Sequence, residues 1–192
     1  LVVSSWFGEV VQVWSPETDG VLEEYSMVYP IDAVRVNSKI VVSDQGLGGV
    51  VMASDRTLIA PLEASGLATD GVTLWAADWL TGDVWQIDFD GDTPIISDDP
   101  VAIGLSNPEG LAFEKEGSLV VVETGTSTLS RIDLSKNSGE NVTTIAENLE
   151  LSAPGLGAPF LTWWFDGVAV GPSGDIYVSG GGANVIYRVS PK

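Results

Sequence analysis

Four positions in this 192-residue chain place an oxygen-bearing side chain directly ahead of a short run of small apolar residues. Asp32 precedes Ala33-Val34, Ser65 precedes Gly66-Leu67-Ala68, Glu109 precedes Gly110-Leu111-Ala112, and Asp166 precedes Gly167-Val168-Ala169. A second apolar run starts 8, 9, 10 and 10 residues further on, at Ile40, Leu74, Leu119 and Ile176, so the four share one place in a recurring pattern. Carboxylates gathered in a narrow space repel one another until a cation or water relieves them. The chain has no His and no Cys, so an oxygen-only site selects a hard ion, Ca²⁺ first and Mg²⁺ second. Asp32, Glu109 and Asp166 are the candidate metal ligands, and Ser65 is a candidate ligand-binding group beside them. The plainer reading stays open: the same residues cap turns and meet water.

The absence of His and Cys also removes thiol nucleophiles, Cys-ligated zinc and every triad with a His base. Alternating Asp88, Asp90 and Asp92 in "DFDGDTPIISDD" suggest a second cation loop. A calcium loop of the EF-hand kind wants Gly at its sixth position and Glu at its twelfth, where this stretch has Thr93 and Asp99. A connection between two strands explains it more simply. Gly180-Gly181-Gly182 lies in a hairpin turn with no helix after it, which argues against a phosphate cradle. Asn141-Val142-Thr143 fits the glycosylation acceptor pattern, a match short enough to arise by chance.

The elements that hold these residues repeat. Five segments, LVVSSW from Leu1, IVVSDQ from Ile40, LWAADW from Leu74, LVVVET from Leu119 and IYVSGG from Ile176, begin 39, 34, 45 and 57 residues apart. Each is followed by a turn and a partner strand: EVVQVWS, GVVMAS, GDVWQID, TLSRIDL and NVIYRVS. Four are preceded by another strand (IDAVRV, SGLATD, EGLAF, DGVAV), and outer strands are expected at VLEEYS, TLIAPL, VAIGL and VTTIAENL. Val and Ile richness and Gly- or Asn-marked turns favour strands, and no window has helical periodicity. A four-stranded sheet cannot bury both faces alone, and radial stacking solves that problem. The predicted fold is all-β, a β-propeller of four-stranded antiparallel blades in one domain over 1–192. Its modules fall near 1–30, 31–64, 65–106, 107–164 and 165–192. A β-sandwich explains short strands but not the repeated order. The seven Trp read mainly as packing between blades, while Trp163 and Trp164, in the insert "LSAPGLGAPFLTWW", are candidate ligand contacts.

The end modules lack one strand each, which gives 18 strands where a six-bladed ring has about 24. The expectation is therefore the C-terminal part of a six-bladed ring, with a preceding segment missing from the sequence or supplied by another chain. A five-module ring with imperfect ends is the alternative. The chain begins at Leu1 without Met, which fits a processed, trimmed or partial protein. Net charge is −19, from 8 basic and 27 acidic residues, and this field repels nucleic acid and anionic membrane surfaces. No apolar run approaches the roughly 20 residues that span a bilayer. The acidic, Cys-free, Gly-rich make-up leans towards an extracytoplasmic or secreted protein.

"NPEGLAFEKEGSLVVVET" and "FDGVAVGPSGDIYVSGGG" resemble the blades of NHL-repeat and gluconolactonase/strictosidine-synthase-like propellers. That resemblance implies the fold over nearly the whole chain. In the gluconolactonase-like members an Asn in a Pro-Asn-Gly turn and an Asp in an Asp-Gly turn help to bind a divalent metal. Asp166 matches the Asp, Glu109 stands where the Asn would be, the first metal-binding Glu has no counterpart here, and no position is matched securely to the Asp base. Two functions follow as expectations. One is a scaffold that binds a small ligand or protein partner at an acidic channel mouth, with a divalent cation. The other is a metal-dependent hydrolase of a lactone or ester.

Overall fold

The computed structural model describes residues 1–115, 117–152 and 165–190. Its strands form five antiparallel sheets of 3, 4, 4, 4 and 3 strands, each built from consecutive hairpins. The first blade holds β1 (Val2–Ser5), β2 (Val10–Ser15) and β3 (Gly20–Ser26). The second holds β4 (Pro30–Val36), β5 (Lys39–Asp44), β6 (Gly49–Met52) and β7 (Leu58–Ala60). The third holds β8 (Ala64–Thr69), β9 (Leu74–Asp78), β10 (Asp83–Asp90) and β11 (Thr93–Ile96). The fourth holds β12 (Pro108–Glu114), β13 (Ser118–Glu123), β14 (Thr128–Asp133) and β15 (Val142–Ala146). The fifth holds β16 (Val168–Val170), β17 (Ile176–Gly180) and β18 (Val185–Val189). The fold is a β-propeller, with β4, β8, β12 and β16 as successive inner strands. The helical content of the described residues is one 3₁₀ turn, Gln45–Leu47, and no helix is long and apolar enough to cross a membrane.

Successive residues of a strand point to opposite faces, and the middle strands of the blades are apolar on both. Ile40 and Val42 of β5 face the first blade, while Val41 joins Leu67 and Leu74 against the third. Leu119 and Val121 of β13 pack with Trp75 and Val84 of the third blade, while Val120 and Val122 meet Ile176 and Val178 of the fifth. The result is four cores, one between each consecutive pair of blades. Each fully buried Val or Leu contributes about 1.5–3 kcal/mol. Trp75 behaves as the composition suggested, stacking on Phe113 of the next blade at 5.3 Å and 4°.

The outer strand of the third blade differs from the sequence expectation. The segment TPII pairs with β10 through Ile87 and Ile96, whereas VAIGL supplies only a bridge from Ala102 to Val84. The tight turn at Gly91, with φ of 62°, returns the chain immediately after Asp90, so TPII reaches the free edge first. Asn141 is buried, and its Nδ2 donates to Val101 O at 2.8 Å. It ties the fourth blade to the third and is closed to glycan attachment in the folded chain.

Inner strands of neighbouring blades approach so closely that a side chain would not fit between them. A Cβ on Gly110 would lie 2.6 Å from Val168 N and 2.8 Å from Asp166 O, and one on Gly66 would lie 2.1 Å from Glu109 O. Gly110→Ala is therefore expected to destabilise the fold by about 1–3 kcal/mol through overpacking. Gly167→Ala, with no atom within 4 Å of its Cβ, is the matched control and should leave the denaturant midpoint nearly unchanged. Equal midpoints for the two variants would contradict this contact.

Candidate functional site

Two columns of polar side chains stand at the end of the propeller where the inner strands begin. The first runs along the inner strands, and each member reaches across to the next blade. Asp32 Oδ2 accepts the Leu67 N–H at 2.8 Å. Ser65 Oγ donates to the Pro108 carbonyl. Glu109 Oε2 accepts the Asp166 N–H at 2.7 Å, and the Gly110 N–H returns a bond to Asp166 O at 2.9 Å. The glycine or alanine that follows each polar residue admits the neighbouring backbone, and the polar side chain bonds to it. This accounts for a charge placed immediately before an apolar run.

The second column ends the second-position strands: Asp44, Asp78 and Glu123, all buried. Asp44 accepts the N–H groups of Val28, Tyr29 and Leu47. Asp78 accepts those of Glu63, Leu80 and Thr81. Glu123 takes the Ser106 N–H at 2.9 Å and the hydroxyls of Ser130 and Thr128. Each acid clamps the chain entering its own blade to the following hairpin. In the fifth blade the second strand ends in Gly180, and Asp166, two residues ahead of β16, does the clamping instead. Its carboxylate accepts from Ser152 N–H, Ser179 Oγ and Gly181 N–H. Close approach explains the glycines here, since a Cβ on Gly182 would lie 2.4 Å from Leu151 O.

Glu109, Asp166 and Asp44 are the most enclosed of these acids, each 1% exposed. Burial pushes the Glu109 carboxyl up to about 7, against the opposing pull of the Asp166 N–H and the Thr124 hydroxyl at 3.1 Å. The Trp79 indole N–H also favours the charged form but does not reach hydrogen-bond geometry, and its Nε1 is buried without a partner. Asp32 is half-buried, and desolvation raises its carboxyl despite the Leu67 and Ala33 N–H groups.

Of the residues singled out in the sequence, Glu109 and Asp166 come together directly. Ser65 links the third blade to the fourth, and Asp32 is engaged with the third blade from the second. Among the described residues no three acidic side chains converge as a group able to hold a metal ion. Trp163 and Trp164 lie outside the described residues. In the Asp-rich stretch, Asp88 accepts from Thr73 Oγ1 and Gln86 Nε2, and Asp92 pairs with Lys39 at 2.7 Å, as a strand connection would. Sequence reading overlooked Asp44, Asp78 and Glu123, although an acid closing each apolar run (IVVSD, LWAAD, LVVVE) was a usable signal.

No protein-family profile and no curated protein matches the chain. Solved structures do. A gluconolactonase from Xanthomonas campestris superposes with a TM-score of 0.64 at 17% identity, over 99% of this chain and 72% of its own. Virginiamycin B lyase from Staphylococcus aureus gives 0.62 at 15% identity, over 100% of this chain and 66% of its own. A chain of a nidogen/laminin complex gives 0.63 at 14%, over 94% and 69%. The likeness is one of fold. The chain thus spans about two thirds of the length of these propellers.

Glu109 ionises near 4.5 when exposed and near 7 in the fold. Between those values the unfolded chain has released its proton and the folded chain has not. Its contribution to stability is complete below pH 4.5, declines as pH rises through 7, and totals on the order of 3 kcal/mol. Glu109→Gln keeps an acceptor for the Asp166 N–H and should flatten that slope. Unfolding midpoints of both proteins across the pH series test it, and parallel slopes would refute the raised ionisation.

Proposed function

We propose that this chain is a binding propeller that holds a small ligand or a protein partner at its acidic mouth. One observation carries the reading: the buried acids of both columns are bonded to backbone N–H groups of the mouth connections. Such bonds pre-organise a rigid rim, which lowers the ordering cost of binding. A hard cation enters this reading through Glu109 and Asp166, Ca²⁺ before Mg²⁺, with further oxygens completing the shell. Asp32 takes part only by leaving its bond to Leu67.

A second reading draws on the Glu109 carboxyl itself. An acid titrating near neutral pH beside a second carboxylate suits general acid–base work, and a gluconolactonase is among the structural neighbours. In that case Glu109 moves the proton and a cation polarises the carbonyl of a lactone or ester.

One set of measurements separates the two. A lactone panel is assayed with Ca²⁺ and with EDTA, using the wild type, Glu109→Gln and Asp166→Asn. The binding reading expects no turnover that depends on Glu109, and a Ca²⁺-dependent rise in Tm that both variants lose. Turnover abolished by Glu109→Gln would install the hydrolase in its place. A Tm indifferent to Ca²⁺ and EDTA would remove the cation.

A further inference from the structure

The charges of this molecule are sorted by position. The mouth is built from the hairpin turns 6–9, 45–48, 79–82, 124–127 and 181–184 and from the leads into the inner strands, 27–29, 61–63, 103–107 and 147–152. None of these segments contains a Lys or Arg. They do carry exposed acids: Glu9, Glu63, Glu147 and Glu150. The cations of the described residues lie elsewhere. Arg35, Lys39 and Lys115 flank the turns at the far ends of the inner strands, and Lys136 lies in the turn before an outer strand. Arg56 starts from another such turn, and its guanidinium is neutralised by no acid among the described residues but donates twice to Ser26 O, beside the lead 27–29. The ion pairs Arg35–Glu23, Lys39–Asp92, Arg131–Glu114, Lys136–Asp133 and Arg188–Asp175 are likewise remote from the mouth segments. The mouth segments thus carry acidic side chains and no basic ones, and their exposed acids take part in none of these ion pairs.

The same face carries aromatic and apolar surface. Trp6, from the first turn, stacks on Tyr29, from the lead into the second blade, at 5.0 Å and 18°. Leu80 in the third turn is 70% exposed. A hydrated metal ion uses carboxylates but gains nothing from rings, and a polyanion is repelled. A Lys or Arg side chain uses both, with its charge on a carboxylate and its aliphatic stem or guanidinium plane on an aromatic face.

We propose that the mouth face docks a basic polypeptide segment, with lysines or arginines meeting Glu9 and Glu63 and their stems lying along the Trp6–Tyr29 stack. This deepens the binding reading and rests on it. A fluorescent octalysine peptide is the probe, with octaglutamate and spermine as comparisons. Two folded variants of equal net charge are titrated with it: Glu9→Lys/Glu63→Lys at the mouth, and Glu17→Lys/Asp90→Lys away from it.

The mouth variant should weaken octalysine binding by about tenfold and the distal one by less than about twofold, with binding falling as salt rises. Tyr29→Ala should weaken octalysine while leaving spermine unchanged. Equal losses in both charge variants would mean general attraction to an acidic surface and would overturn the proposal. Displacement of the peptide by Ca²⁺ at constant ionic strength would also overturn it, by moving the site to Glu109 and Asp166. If octalysine does not bind, the basic-partner inference falls alone, because the Ca²⁺ and lactone measurements judge the binding reading separately.

Discussion

Each sheet of this propeller is apolar on both faces and needs another sheet against it. That requirement organises everything else. A strand such as β13 sends Leu119 and Val121 to one neighbour and Val120 and Val122 to the other, so no blade has a core of its own. Stability resides in the four interfaces, and a blade alone would expose the side chains that hold the next one. The open faces of the first and fifth blades show the corollary, with Leu22 and Ile186 strongly exposed.

Where inner strands converge, packing becomes a polar problem. Backbone groups of adjacent blades lie too close for side chains between them, hence Gly66 and Gly110, yet they are buried and must be hydrogen-bonded. Asp32, Ser65 and Glu109 supply those bonds from one blade to the next. Asp44, Asp78 and Glu123 do the corresponding work within a blade. Acids at the mouth are thus structural first, and the negative rim is partly a by-product of stitching polar backbone together.

That origin bears on function. A carboxylate buried for structural reasons is still a charge in a low-dielectric setting, and Glu109 responds with an ionisation near neutrality. The burial that makes it a useful tie is also what raises that ionisation. The fold is shared with proteins as different as a gluconolactonase, a virginiamycin B lyase and a chain of a nidogen/laminin complex, so only the side chains at the mouth can distinguish among such roles.

The strand order, the 3, 4, 4, 4, 3 division into blades and the inner-strand polar column were legible in the linear chain, because period-2 apolar runs and turn residues are local signals. The outer strand of the third blade was not, since TPII and VAIGL have similar propensity and the Gly91 turn decided which reached the edge first. Nor could spacing tell what Asp32, Glu109 and Asp166 share. Equal places in a repeat put residues on successive blades, but whether their carboxylates converge depends on where each side chain finds its partner. Tertiary structure alone turned Asp32 to Leu67 and Glu109 to Asp166. The chain by itself determined that Asp32, Ser65, Glu109 and Asp166 share one place in the repeat, and the packing of one blade on the next decided which of them meet.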